Sequence, residues 1–140
     1  MSFYLDTSLL VALFVPESLT SRAEAFLEAN PGRYIVSNLG AAEFASAISR
    51  RVRTGETTTS DARLAFATFD DWCQRSVQWV DVEPADITKA GVFLRRLDLP
   101  LLTPDAIHIA VVQRIDGTLV ALDRQMTANA RALGCRIADP

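Results

Sequence analysis

The chain has 140 residues, 49% of them hydrophobic and 22% charged, with a formal net charge of −3 and with 6 Gly and 6 Pro scattered along it. That length suits a single domain over residues 1–140 with a sizeable core, and the composition excludes disordered, collagen-like and repeat classes. The longest apolar run, Leu9 to Val15, falls far short of the roughly 18 residues of a membrane span, and no basic residue precedes Arg22 as a secretory leader requires, so a cytoplasmic protein without a membrane partner is expected.

In chain order, Ser2 to Leu5 reads as a strand ending at Asp6, followed by a short helix over Leu9 to Val15 and a stop at Pro16. Leu19, Ala23, Phe26 and Leu27 recur at helical spacing until Asn30, Pro31 and Gly32 break the pattern. Tyr34 to Val36 is a strand. Residues 38–53 form a helix with Ala41, Phe44, Ala45, Ile48 and Val52 on one stripe, and Gly55 ends it. The Thr and Ser run at 57–60 offers N-caps for the next helix, whose Ala62, Ala65, Phe66, Phe69, Trp72 and Cys73 share a face. These two make a helical hairpin.

Val77 to Val82 is a further strand, and Pro84 opens a helix with Ile87, Ala90, Gly91, Leu94 and Leu97 at the buried spacing. Thr103-Pro104-Asp105 has the form of a helix start, with Thr103 as N-cap and an acid facing the positive helix end. The helix that follows is apolar nearly all round and should be central. Thr118 to Leu122 is a strand, Met126, Ala130 and Leu133 mark a helix, and Cys135 to Ala138 is a last strand. Alternating strands and helices imply an α/β sandwich around a mostly parallel sheet.

In such sheets ligands bind beyond the carboxyl ends of the strands, and Asp6, Glu43, Asp105 and Asp123 all map to that edge. Each acid has an ordinary explanation alone: a strand-end turn for Asp6, an exposed helix position for Glu43, a helix-dipole acid at Asp105 and a cap at Asp123. Their coincidence is harder to explain by stability. Carboxylates about 4 Å apart repel by about 4 kcal/mol at an effective dielectric of 20, and a divalent cation relieves that conflict. Oxygen donors favour Mg²⁺ or Mn²⁺ over zinc, because one histidine and two remote thiols, Cys73 and Cys135, build no zinc site. His108, one turn beyond Asp105, fits a packed core histidine with a satisfied hydrogen bond and is left outside the site.

The charge distribution leaves the partner open. Of the 14 basic residues 13 are Arg, several clustered as Arg50, Arg51, Arg53 and Arg95, Arg96, a side chain suited to phosphate but equally to a solvated helix face.

Tyr4-Leu5-Asp6-Thr7-Ser8, Ser37 with Glu43, Asp105-Ala106-Ile107-His108-Ile109-Ala110 and Leu119-Val120-Ala121-Leu122-Asp123 resemble, in order, the four acidic motifs of PIN-domain nucleases. The length resembles the toxin ribonucleases of VapBC toxin–antitoxin pairs. That resemblance implies a three-layer α/β/α sandwich and an Mg²⁺-dependent endoribonuclease. Its site is Asp6, Glu43, Asp105 and Asp123, with Asp6 and Asp105 the direct metal ligands, and Mn²⁺ can substitute. It also implies an RNA substrate, an antitoxin partner and a homodimer. Many members carry Thr, Ser or Asn two residues before the last acid, where this chain has Ala121; Ser8 is a nearby hydroxyl able to hold a carboxylate. An Asp-nucleophile phosphatase fits poorly, since Ser8 stands where its second Asp belongs. A PIN-like interaction module without strong catalysis is the other reading.

Overall fold

The computed structural model describes residues 1–140. Five strands form one sheet: β1 (Ser2–Leu5), β2 (Arg33–Ser37), β3 (Val77–Val80), β4 (Thr118–Val120) and β5 (Arg136–Ala138). Their order is β3-β2-β1-β4-β5 and every pairing is parallel, so the sheet is wholly rather than mostly parallel. Helices α1 (Thr7–Phe14), α2 (Thr20–Ala29), α3 (Asn38–Arg53) and α4 (Thr59–Ser76) precede β3; α5 (Pro84–Leu94), α6 (Thr103–Arg114) and α7 (Arg124–Ala132) follow it. No helix is long and apolar enough to cross a membrane.

Strand alternation divides the core into two layers. Phe3, Leu5, Val36 and Val120 face α1 to α4, packing with Leu9, Leu10, Phe26, Phe44, Ile48 and Phe69. Tyr4, Ile35 and Leu119 face the other way, against Phe93, Ile109, Val111, Val112 and Met126. A strand covered on both faces reads as a continuous apolar run without alternation. As its nearly uniform apolarity implied, α6 is central: Ala106, Ile109, Ala110, Val111 and Val112 are all buried. Both thiols are free.

Three local expectations are corrected. The cap of α6 is Leu102, whose extended backbone precedes the first turn without a side-chain bond, while Thr103 is already helical and Pro104 follows within that turn. In α5 the period is right but the phase is off by one residue: Asp86, Ala90 and Phe93 are buried, whereas Ile87 is 51% exposed. The reason is polar. A capping box between Glu83 and Asp86 and the bidentate grip of Arg114 on Asp86 turn that face inward. The helix then ends at Leu94, so Leu97 lies beyond it with φ 66° and is 90% exposed. The strands also stop early: β3 ends at Val80 and β4 at Val120.

Candidate active site

The strand order reverses at β1, whose neighbours β2 and β4 lead the chain in opposite directions, and the crevice at such a switch point is where open parallel sheets bind ligands. Asp6 leaves β1 there. Its backbone N–H donates to Val120 O at 3.0 Å, and its Oδ2 accepts from Ser8 Oγ at 3.0 Å and Ser8 N at 3.4 Å. Ser8 Oγ in turn accepts from Leu122 N at 3.0 Å, so one hydroxyl joins the first acid to the segment that carries the last. This is the carboxylate-holding role anticipated for Ser8. Ala121 is buried in the core with Met126 and offers Asp123 no hydrogen bond.

Asp123 caps α7, its Oδ1 accepting from Gln125 N at 2.8 Å and Met126 N at 3.0 Å. The ordinary cap role is therefore real, and it occupies one oxygen only. Asp105 sits in the first turn of α6, half-buried, and forms no ion pair. Glu43, one turn into α3, is not the freely exposed helix acid its position suggests: Oε1 accepts from Thr7 Oγ1 at 3.0 Å and from His108 Nε2. Four elements thus bring four acids to one edge.

Their charges are mutually felt. Burial, followed by the charge of Asp6 and then those of Asp123 and Glu43, pushes Asp105 up to about 6, His108 opposing. Burial also raises Asp6, against the pull of His108 and the bonds from Ser8. For Glu43 burial works upward too, but the hydrogen bonds from His108 and Thr7 win and hold it below the usual carboxylate range. Burial disfavours charge on His108, yet its bond to Glu43 and the charges of Asp6, Glu43 and Asp105 outweigh that and raise it.

A folded-state value above the ordinary 3.8 means that the native state holds the Asp105 proton more tightly than the unfolded chain. That contribution is complete below about pH 4 and is lost as pH rises through 6. The ionised group then destabilises by about 1 to 2 kcal/mol, once the nominal 3 is reduced for solvent screening, against about 0.3 to 1 kcal/mol of favourable helix-dipole interaction. In chelator at pH 8, Asp105→Asn should therefore melt about 2 to 3 °C above the parent, an advantage that vanishes near pH 4. A mutant melting lower at pH 8 would place Asp105 outside any carboxylate cluster.

His108 is wholly buried and satisfied, as expected of a core histidine, but its partners are the site itself: Glu43, Tyr4 and, at 3.9 Å, Asp6 Oδ1. Tyr4 and Thr7 were also missed. The available signals were a histidine at i+3 from Asp105 on the same helix face and a tyrosine, whose hydroxyl needs a partner, inside a buried strand. The Arg50, Arg51 and Arg53 cluster lies in the last turn of α3, about 10 to 15 Å along the helix from Glu43, and Arg51 pairs with Glu17 at 3.6 Å. It serves that helix end.

The fold and the acidic switch point together define an α/β/α protein built to neutralise or exploit clustered carboxylates. The chain belongs to the PIN domain family, whose model matches residues 3–132, and PIN domains are nucleases. No curated protein sequence matches it significantly. Among solved structures it is similar to Mycobacterium tuberculosis VapC20, described as a sarcin-ricin loop cleaving toxin, at 22% identity over 90% of this chain and 93% of that one, TM-score 0.74. It is also similar to VapBC2 from Rickettsia felis bound to a promoter DNA fragment, at 14% identity over 99% and 98% of the two chains, TM-score 0.71. DNA-bound VapBC from Salmonella typhimurium aligns at 19% identity over 99% and 98%, TM-score 0.68. At these identities the likeness is one of fold.

PIN nucleases generally use divalent metal ions, and the donor set here suits one. All four acids offer hard oxygen, no Lys or Arg neutralises them, and Asp123 Oδ2 and Glu43 Oε2 have no protein hydrogen-bond partner. No three of the acidic, histidine or thiol side chains stand close enough together here to hold a metal ion.

Proposed function

We propose that the chain, folded as one PIN-like domain over 1–140, is a metal-dependent endoribonuclease acting as the toxin of a toxin–antitoxin pair. The observation that carries this reading is the convergence of Asp6, Glu43, Asp105 and Asp123 on the switch point, where burial first, then the charge of Asp6 and those of Asp123 and Glu43, lifts Asp105 to about 6. Asp6 and Asp105 would hold Mg²⁺ or Mn²⁺ directly. The cation, when bound, supplies Lewis-acid chemistry: it acidifies water and neutralises charge on the scissile phosphate.

The protein's own part is preorganisation. Ser8 fixes the Asp6 carboxylate, Thr7 and His108 hold Glu43 ionised, and the α7 cap orients Asp123. Arg124, next to Asp123, and Arg95, on the segment leading to α6, offer cations to the flanking phosphates, while Arg96 is held by Asp98. Four acids that no Lys or Arg neutralises, with only the buried His108 beside Glu43 and Asp6, repel an RNA strand, so cleavage should depend steeply on the divalent ion. Purified protein is expected to cut single-stranded or loop RNA with Mg²⁺ or Mn²⁺ and to stop in chelator. Chelator-resistant cleavage by a nuclease-free preparation would overturn the metal role, and phosphomonoester hydrolysis with intact RNA would favour phosphatase chemistry.

The partner reading is supported by the VapBC complexes among the similar structures and by two apolar surfaces. One is a groove of about 460 Å³ between α1, α3 and α4, lined by Leu13, Phe14, Ile48, Ala62 and Leu64, which suits an apolar segment of an antitoxin. An Arg from the same antitoxin would pair with the acids and displace the cation. The other is a scatter of exposed apolar side chains, Ile87 and Val92 on different sides of α5 with Leu97 and Leu102 beyond it, some of which suit contact with a second copy. Light scattering at micromolar concentration is expected to show a dimer; monomer alone would remove that half of the proposal.

A further inference from the structure

We propose that His108 is the positioning residue of the acidic site, holding Glu43 of α3 and, with it, the face of Asp6 in a fixed relation to α6. This rests on the nuclease reading above. Nothing in the packing of α6 calls for a polar residue here, since Ala106, Ile109, Ala110, Val111 and Val112 around it are apolar and buried. An imidazole with no exposed surface is tolerable in such a place only if both nitrogens are bonded, and both are.

The two bonds close a loop. A carboxylate only accepts, so Glu43 Oε1 requires the proton on His108 Nε2. At the other nitrogen, Nδ1 meets Tyr4 Oη at 2.6 Å, and Tyr4 Oη meets Ser37 Oγ at 2.6 Å. Ser37 is the N-cap of α3 and accepts from Gly40 N at 2.9 Å. The chain of bonds therefore leaves α3 at Glu43, crosses the ring and the Tyr4 hydroxyl, and returns to α3 at its cap. Neither rotation of α3 nor a slide along α6 is possible without breaking a buried bond. Thr7 Oγ1, at 3.0 Å, fixes the same Glu43 oxygen from α1, leaving Oε2 free for a ligand, and His108 Nε2 stands 3.9 Å from Asp6 Oδ1. Partners of this kind, one shell behind ligating carboxylates, change metal affinity when removed without touching the ion.

Side-chain length separates this role from core filling. In His108→Gln the amide reaches as far from the backbone as Nε2 and can still bond Glu43; in His108→Asn it reaches only as far as Nδ1 and can bond Tyr4 alone. Calorimetric titration of the metal-free proteins with Mn²⁺, alongside melting temperatures and cleavage kinetics, reads the difference. His108→Asn is expected to bind Mn²⁺ about tenfold more weakly or worse and His108→Gln within about threefold of the parent, although both melt lower. Thr7→Val, a nearly isosteric change at a half-buried helix start, should weaken Mn²⁺ by about threefold with little change in melting.

Equal Mn²⁺ affinities for the Asn and Gln variants, or losses that simply follow melting temperature, overturn the positioning role while an Mn²⁺-binding parent and a non-binding Asp105→Asn leave the nuclease reading standing. A parent that binds no Mn²⁺ overturns both. If His108→Asn does not fold, nitrogen-15 NMR of the metal-free parent decides the link directly. A protected, downfield His108 Nε2–H that is lost in Glu43→Ala supports it, and a rapidly exchanging one overturns it.

Discussion

On the proposed nuclease reading, Asp6→Asn and Asp105→Asn are each expected to reduce RNA cleavage by at least about 10²-fold, the loss expected when a cation or its attacking water is misplaced. Asn keeps the shape of the carboxylate and removes its charge. At Asp6 the bonds from Ser8 to the Oδ2 position can persist, so the loss there should not come from unfolding. At Asp105 the fold should gain stability in chelator while activity disappears, which separates the chemical role from any structural one. Single-turnover cleavage of a labelled RNA in Mn²⁺, with melts of the same samples, measures both. Activity within about threefold of the parent at either position would remove that acid from the site.

Arg114→Ala is expected to lower stability by about 3 kcal/mol, a drop of about 10 °C in Tm for a chain of this size. Arg114 donates to the buried Asp86 from Nε, at 2.9 Å to Oδ1 and 3.2 Å to Oδ2, and from Nη2 at 2.9 Å, and its Nη2 also donates to Asp81 O at 2.9 Å. Removing the guanidinium leaves Asp86, 2% exposed, with only the Glu83 N–H at 2.8 Å. The cost is that of an unpaired buried charge, so the double change Arg114→Met with Asp86→Leu should recover most of it. Urea unfolding of the single and double variants tests this. A loss below about 1 kcal/mol in Arg114→Ala would make the pair an ordinary surface bridge.

The contrast between α6 and α5 shows where sequence patterning suffices. In α6 the apolar residues run nearly all round, so burial follows whichever way the helix is turned, and its central place was legible. In α5 the apolar period leaves two phases one residue apart, and the choice fell to Asp86, a residue that apolar counting assigns to the outside. An ion pair between residues 28 apart in sequence carries no local period, so nothing in the α5 segment announces it.

The site divides along the same line. Asp6, Glu43, Asp105 and Asp123 could be placed at one edge from the sequence alone, because parallel strand direction and the βα alternation dictate which end of each element they occupy. The alternation of strands and helices likewise implied the sandwich, and the coincidence of four acids at one edge pointed to a hard cation. The tertiary structure alone decided that Glu43 turns inward, that Ser8 rather than residue 121 steadies the last motif, and that His108, Tyr4 and Ser37 stand behind the acids. Those contacts join residues 33 to 114 positions apart. Whether a buried hydroxyl or imidazole is satisfied depends on groups that only folding brings within about 3 Å, and local periodicity contains no record of them.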